Sequence, residues 1–323
     1  MVLVWVDHDR GRVDELSLQA VTFARVLAAA SNEELDALVV GVGGTAAAEV
    51  LGEYGVRAVH SATHPQLQGY APLATARALA EILSADSPSA VVAIGSDRGN
   101  EVMAHLAAVT DLPLAADCLE VAAGEPARVK RSRWGGSLYE EAEVRAPTTL
   151  LTLAPHSTEA VSAGGSAASI REFTPALSDA DLLVQAKAES SEETAGVTLA
   201  DAKVVVSGGR GVGGAEGFAV LEELAELLNG AVGCSRVVTS AGWRPHTDQV
   251  GQTGTKVAPD LYIACGISGA TQHLAGCRTS KTMLVINNDP EASILAHADY
   301  AVIGDLHTIL PAIVAETRKA KSA

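Results

Sequence analysis

LYIACGISGATQHLAGCRTSKTMLVINNDP, residues 261–290, decides how this chain folds. An apolar run from Leu261 to Cys265 ends in a glycine and a serine, a short Gln-His helix follows, and a second apolar run ends in Asn-Asn-Asp-Pro. Two strands are therefore joined by a helix, each with polar groups at its carboxyl end, where open α/β sheets bind ligands. Ser268 is placed to cap a helix from Gly269 to Leu274, leaving backbone N–H groups and a positive dipole end toward the space beyond the strand. A diphosphate suits such a place. Asp289 and Pro290 read as the cap and first position of the next helix, with the Asn287 amide at the strand tip free to reach a ligand. Ordinary turn chemistry is the plain alternative.

Upstream, KVVVSGGRGVGGAEGF, residues 203–218, sets a strand from Lys203 to Val206 against a glycine loop. Leu221, Leu224, Ala225 and Leu228 then mark a helical face that closes at Asn229-Gly230. Gly209, Gly211 and Gly214 spell G-x-G-x-x-G, but a nicotinamide site calls for an acidic residue about twenty positions on. That region reads AVGCSRVVTSAGW, without a carboxylate. Downstream, Ile303-Gly304-Asp305-Leu306 ends another strand before a terminal helix.

SGGRG, AVGCSR, QVGQTGTKVAPDLYIACGISGATQHLAG, SKTMLVINNDPEA and ADYAVIGDL, in that order from residue 203 to the end, resemble the FAD-binding domain of the electron-transfer flavoprotein alpha subunit. Residue by residue, the resemblance implies FAD contacts from Arg210, Ser235 and Arg236, with Val250, Gly251, Gln252 and Thr253 running along the flavin. It puts the Thr253 hydroxyl at the flavin N5 and Arg236 over the ring. Ser268, Gly269, Ala270, Thr271, Gln272 and His273 would wrap the diphosphate and ribityl region, His273 near the pyrimidine carbonyl. Asn287 would lie near the phosphates, and Asp305 with Leu306 would hold the adenosine end. No catalytic residue and no metal ligand is expected.

A flavin carrier stores electrons, so the protein's task is to bind the cofactor and tune its potential. A cation about 4 Å from a reduced, anionic flavin is worth roughly 4 kcal/mol at an effective dielectric near 20. A neutral hydrogen bond nets only about 1 kcal/mol. Arg236 is thus expected to dominate the tuning, by on the order of 100 mV for one electron before desolvation is discounted. Protonation of His273 is expected to add to it, although a lone His after Gln on a short helix is more often a structural hydrogen-bonder.

The composition agrees. With 323 residues, 48% of them apolar, the chain can bury two cores. A polar stretch at 188–200 divides it into residues 1–190 and 201–323. A formal charge of −16 and only 3% aromatic residues argue against nucleic acid. The start, MVLVWVDHDRGRVDE, does not read as a signal peptide, and no apolar run reaches the twenty or so residues of a membrane span. A cytoplasmic protein is the expectation. Cys118, Cys234, Cys265 and Cys277 form no ligand pattern. The triplet Asp7-His8-Asp9 is a weak metal candidate, because side chains alternate on an extended segment.

The amino-terminal half repeats the rhythm. Val2 to Val6, Ala37 to Val42, Arg57 to His60 and Ala90 to Ile94 read as strands, and Leu16 to Ala30 and Gln66 to Leu83 as helices. ARVKRSRWGGSLYEEAEV reads as a strand pair turning at Gly135-Gly136. Its cluster of Arg128, Lys130, Arg131 and Arg133 is either an anion site or, more often on an acidic protein, a solvated face or partner contact. The fold class is thus α/β, two doubly wound domains with mostly parallel sheets, the second Rossmann-like. The resemblance makes the first a scaffold on which the family's beta subunit docks, with AMP in that subunit and one FAD in this one. It implies an electron carrier, without a substrate reaction of its own, that takes electrons from flavin dehydrogenases such as the acyl-CoA dehydrogenases of fatty acid β-oxidation and passes them to a membrane quinone oxidoreductase. The alternatives are a bifurcating form with a second FAD in the partner, a flavin enzyme with its own small substrate, and a nucleotide-sensing module.

Overall fold

Successive residues of the first strand, β1 (Val2–Trp5), enter different cores: Val2 and Val4 on one face of the sheet, Leu3 and Trp5 on the other. Burial on both faces is why the strand reads as an unbroken apolar run. The computed structural model describes residues 1–67, 69–134, 136–186 and 197–322. They form two units, Met1–Ser190 and Ser191–Ala323. Of the polar stretch at 188–200, residues 188–196 lie outside the described residues.

In the first unit, a small hairpin of β2 (His8–Asp9) and β3 (Arg12–Val13) follows β1. Next come α1 (Glu15–Ala30), β4 (Leu35–Val40), α2 (Gly44–Glu53), β5 (Ala58–Ala62), α3 (Pro72–Asp86), β6 (Ala90–Ile94) and α4 (Asp97–Thr110). The unit ends with β7 (Leu114–Ala122), β8 (Ala127–Arg133), β9 (Leu138–Val144), β10 (Thr149–Leu153) and β11 (Ser169–Phe173). The strand order is β11-β5-β4-β1-β6-β10-β7-β8-β9. All neighbours are parallel except β7–β8 and β8–β9. Residues of α1 and α2 share one core with Val2 and Val4, and those of α3 and α4 share the other with Leu3 and Trp5.

Three details differ from the sequence reading. Helix α3 starts at Pro72, not Gln66: a proline at the first helical position lacks only an N–H that would be orphaned there anyway. Helix α2, GTAAAEVLGE, was hidden behind the glycines before it; its stripe is small, with Ala47, Ala48 and Leu51 buried. Strand β11, SIREF, lacks an apolar run because its residues are mostly exposed, yet it pairs in full register with β5.

The basic cluster is a paired strand face. Arg128 meets Glu143, Lys130 meets Glu120, and Arg131 and Arg133 both meet Glu140, which leaves no concentrated positive charge for an anion. The triplet at Asp7 is turn chemistry: an Asp7 oxygen accepts from the His8 N–H, and His8 Nδ1 accepts from the Gly11 N–H. Among the described residues no group of three His, Cys, Asp or Glu side chains could hold a metal ion. None of the helices described is long and apolar enough to cross a membrane.

In the second unit the order is β12 (Val204–Gly208), α5 (Ala219–Leu227), β13 (Ala231–Cys234), α6 (Arg236–Ser240), β14 (Leu261–Cys265), α7 (Thr271–Cys277), β15 (Met283–Asn287), β16 (Tyr300–Ile303) and α8 (Leu306–Ser322). Five parallel strands run β13-β12-β14-β15-β16. The chain leaves β12 toward one edge for β13 and returns past it to β14, so the topological switch point lies between β12 and β14. Both faces are again covered: Tyr262, Ala264 and Val285 enter one core, and Ile263, Cys265 and Ile286 the other, beneath α5 and α8.

Candidate functional site

Loops from the carboxyl ends of four adjacent strands, β13, β12, β14 and β15, enclose one cavity of about 370 Å³. It lies at the switch point, where open sheets of this kind bind ligands. Its volume is that of an ordinary small-molecule site. Of the residues singled out from sequence, Arg210, Ser235, Arg236, the run Val250–Thr253, Ser268, Gly269, Ala270, Gln272, His273 and Asn287 all line it. Thr271, Asp305 and Leu306 are not on its wall. Asp305 instead begins α8, its Oδ1 accepting from the His307 N–H at 3.0 Å, and Leu306 is packed in the core beside Leu310.

The loops after β12 and β14 touch backbone to backbone. Gly211 N donates to the Gly266 carbonyl at 3.1 Å, and a side chain added at Gly211 would lie 2.8 Å from Gly266 Cα. Two of the three glycines in the apparent nucleotide fingerprint therefore serve contact between loops; Gly209 likewise abuts Gly266, whereas Gly214 faces only the flexible Glu216 carboxylate.

Ser268 does not cap the following helix. That helix starts at Thr271 behind Ala270, and the Ser268 carbonyl accepts from the Ile294 N–H. Asp289 and Pro290 do not open a helix either. The Asp289 side chain accepts from the Glu291 N–H at 2.9 Å and closes a turn, which is the competing use of an aspartate beside the backbone. The Asn287 amide is engaged: its Nδ2 donates to the Ile267 carbonyl at 2.9 Å and its Oδ1 accepts from the Asp289 N–H at 3.1 Å. Buried at 5% exposure, Asn287 ties the loops after β14 and β15 together.

Gln249, not singled out from sequence, is 2% exposed and lies on the wall. A buried amide needs partners at both ends. Thr239 Oγ1 donates to its Oε1 at 2.7 Å, and its Nε2 donates to Thr253 Oγ1 at 3.0 Å. Because the Thr253 oxygen accepts that bond, its own proton is left to donate elsewhere. The signal was present as a glutamine directly before V-G-Q-T, but only the fold brings Thr239 to it.

Two cations reach the cavity without internal neutralisation. Arg210 and Arg236 are exposed, and neither forms an ion pair among the described residues. His273 is 6% exposed, its Nε2 is 2.9 Å from the Tyr262 hydroxyl, and its Nδ1 is buried without a hydrogen bond of good geometry among the described residues. Burial lowers its pKa to about 4, with the Val250 backbone pulling weakly the other way. This burial opposes the expectation that a protonated His273 adds to the tuning, because desolvation disfavours the cation. All four cysteines are buried free thiols pushed up to about 12 chiefly by burial, and none lines the cavity.

A cavity at the switch point, with two unneutralised guanidiniums and an orphaned buried ring nitrogen, fits an anionic dinucleotide with an acceptor-rich ring. The comparisons agree with that chemistry. The family model described as electron transfer flavoprotein FAD-binding domain matches residues 198–278, and the one described as electron transfer flavoprotein domain matches residues 2–178. The chain belongs to the electron transfer flavoprotein family. Within it, the chain is similar over nearly its full length to proteins named as alpha subunits. It is 37% identical over 311 residues to the electron transfer flavoprotein subunit alpha of Mycobacterium leprae, covering 96% of this chain and 95% of the relative. It is 34% identical over 314 residues to that of Bacillus subtilis, covering 96% of each. A protein named FixB from Clostridium saccharobutylicum is 32% identical and covers all of this chain. The first-unit match takes in a half whose own motifs are looser than those of the second.

Proposed function

We propose that the cavity of the second unit holds one FAD and that the chain is the alpha half of a heterodimeric electron carrier without a substrate reaction of its own. The carrying observation is that the loops after three neighbouring strands, β12, β13 and β14, bring Arg210, Arg236, Thr253 and His273 to one cavity. FAD, when bound, supplies the redox capacity; the chain supplies binding, orientation and charge. Arg210 and the loop 266–270 would meet the diphosphate, where a cation and backbone N–H groups compensate negative charge. Arg236 would add positive potential at the ring. Gln249 would keep the Thr253 oxygen occupied, so that the hydroxyl donates into the cavity. Asp305 and Leu306 would serve the adenosine end by fixing the start of α8 rather than as part of the cavity wall.

The first unit would carry the docking surface for a beta subunit, and AMP would reside in that partner. Electron donors would be flavin dehydrogenases such as acyl-CoA dehydrogenases, and the acceptor a membrane quinone oxidoreductase. Co-purification with the candidate beta subunit, followed by flavin and AMP assay, tests the proposal. One FAD and one AMP per heterodimer are expected. Two FAD would favour the bifurcating form, and a colourless complex would end the FAD reading.

Arg236→Ala is expected to lower the flavin potential by on the order of 50 mV, because water screens an exposed guanidinium and reduces the unscreened Coulomb figure. Thr253→Ala is expected to lower it less, since it removes one neutral donor. Spectroelectrochemical titration of both variants checks the order; equal or reversed shifts would refute it.

A further inference from the structure

The most buried aromatic hydroxyl of the second unit lies next to the cavity and has no role in the proposal above. Tyr262, in the middle of β14, has 0% exposure. A buried phenol must place its single proton on an acceptor or lose the energy of that bond. His273 Nε2, 2.9 Å away across the step from β14 to α7, is the acceptor within reach. Burial holds the Tyr262 pKa well above its ordinary value, so the proton is present.

The bond has two possible senses. A neutral imidazole carries one N–H and one bare nitrogen. If Nε2 were the donor, Nδ1 would be bare in a buried position, and the Tyr262 proton would have to find another acceptor. The Ser207 hydroxyl and the Cys277 sulfur are near enough to perturb Tyr262, but Ser207 Oγ makes no hydrogen bond of good geometry among the described residues, and the sulfur is a weak acceptor whose own proton goes to the His273 carbonyl at 3.6 Å. If Tyr262 is the donor, its proton has a strong acceptor and the ring proton sits on Nδ1. The second sense gives the Tyr262 proton a strong acceptor and leaves the Nδ1 proton for the cavity, whereas the first strands the phenol proton.

We propose that Tyr262 is a positioning residue whose hydroxyl donates to His273 Nε2 and holds the ring in the tautomer protonated at Nδ1. His273 is then a neutral N–H donor in the cavity wall, suited to a carbonyl or ring nitrogen rather than to an anion. Its consequence for the cofactor rests on the FAD reading; the tautomer itself does not.

Nitrogen NMR of the full chain with isotope-labelled histidine, in complex with its beta subunit, tests this. His273→Gln identifies the signal among the nine histidines. A proton-bearing Nδ1 and a bare, hydrogen-bonded Nε2 are expected. Tyr262→Phe is expected to abolish that single-tautomer signature, whereas Cys277→Ala is expected to keep it. A proton on Nε2 in the unaltered complex overturns the proposal whether or not any variant folds. An unchanged signature in Tyr262→Phe, or its loss in Cys277→Ala, overturns it as well. Visible absorbance of the same samples is a separate readout: a colourless complex would count against FAD and leave the tautomer measurable.

Discussion

Gly276→Ala is expected to weaken FAD retention by about tenfold to a hundredfold, although alanine is the better helix former. A side chain at position 276 of α7 would lie 2.3 Å from Gly251 N and 2.5 Å from Gly251 Cα. Both atoms belong to backbone, so no rotamer change relieves the contact. The loop and the helix are already tied by Gln252 N to the Gln272 carbonyl and by Val257 N to the Gly276 carbonyl, each at 2.7 Å. The helical gain from alanine is at most about 1 kcal/mol. Overpacking typically costs about 1–3 kcal/mol, and a clash with backbone belongs at the upper end. The strain is relieved when the 249–255 loop moves away from α7, which separates Thr253 from His273 and spoils the cavity. Flavin absorbance per protein after gel filtration measures the loss. Gly214→Ala, which meets only the mobile Glu216 carboxylate, is the matched control; equal flavin content in both variants would refute the argument.

The second large effect lies in the first unit and concerns stability. Asp36 on β4 has a wholly buried carboxylate, with Arg57 Nε at 2.9 Å from one oxygen and Arg57 Nη2 at 2.7 Å from the other. His60 Nε2 is 3.3 Å and Arg171 Nη1 3.7 Å from the same carboxylate. Burial alone would raise its pKa, but hydrogen bonds from His60 and Arg57 more than reverse that and hold it at about 2, below the ordinary 3.8. A carboxyl depressed in the folded state contributes stability above its unfolded pKa and loses it as pH falls through the folded one. The contribution of about 2 kcal/mol should be present in full above the ordinary aspartate range and disappear as the pH falls toward about 2. Asp36→Asn is expected to cost about 3 kcal/mol at neutral pH, the low end for breaking a buried pair, because the arginines left behind are half-exposed and can turn to water. It should also flatten the acid limb. Urea unfolding of both proteins across that range checks the sign; parallel acid limbs would show that Asp36 is not the group responsible.

Apolar runs bounded by glycine, such as Leu261 to Cys265 and Ala90 to Ile94, announced their strands because each is buried on both faces. Strand β11 announced nothing, since its burial is slight and its place depends on pairing with β5. Turn residues proved the least readable. Ser268, Asp289 and Asn287 each had a helix-capping or ligand-reaching use open to them, and the structure gives them to loop closure instead. A short polar side chain takes whichever nearby backbone group the fold presents, and sequence spacing does not say which that is.

Chain chemistry read on its own was enough for α/β layers in both halves and for polar loops at the strand tips of the second unit; the arginines, threonine and histidine that gather there were marked by the family resemblance. Those features depend on hydrophobic period and residue identity, which are local. The protonation of His273, the bond that turns Thr253 outward, and the approach of Gly276 to Gly251 were decided by the folded chain alone. Each depends on burial or on an atom distant along the backbone, and neither exists until the sheet has closed its cores.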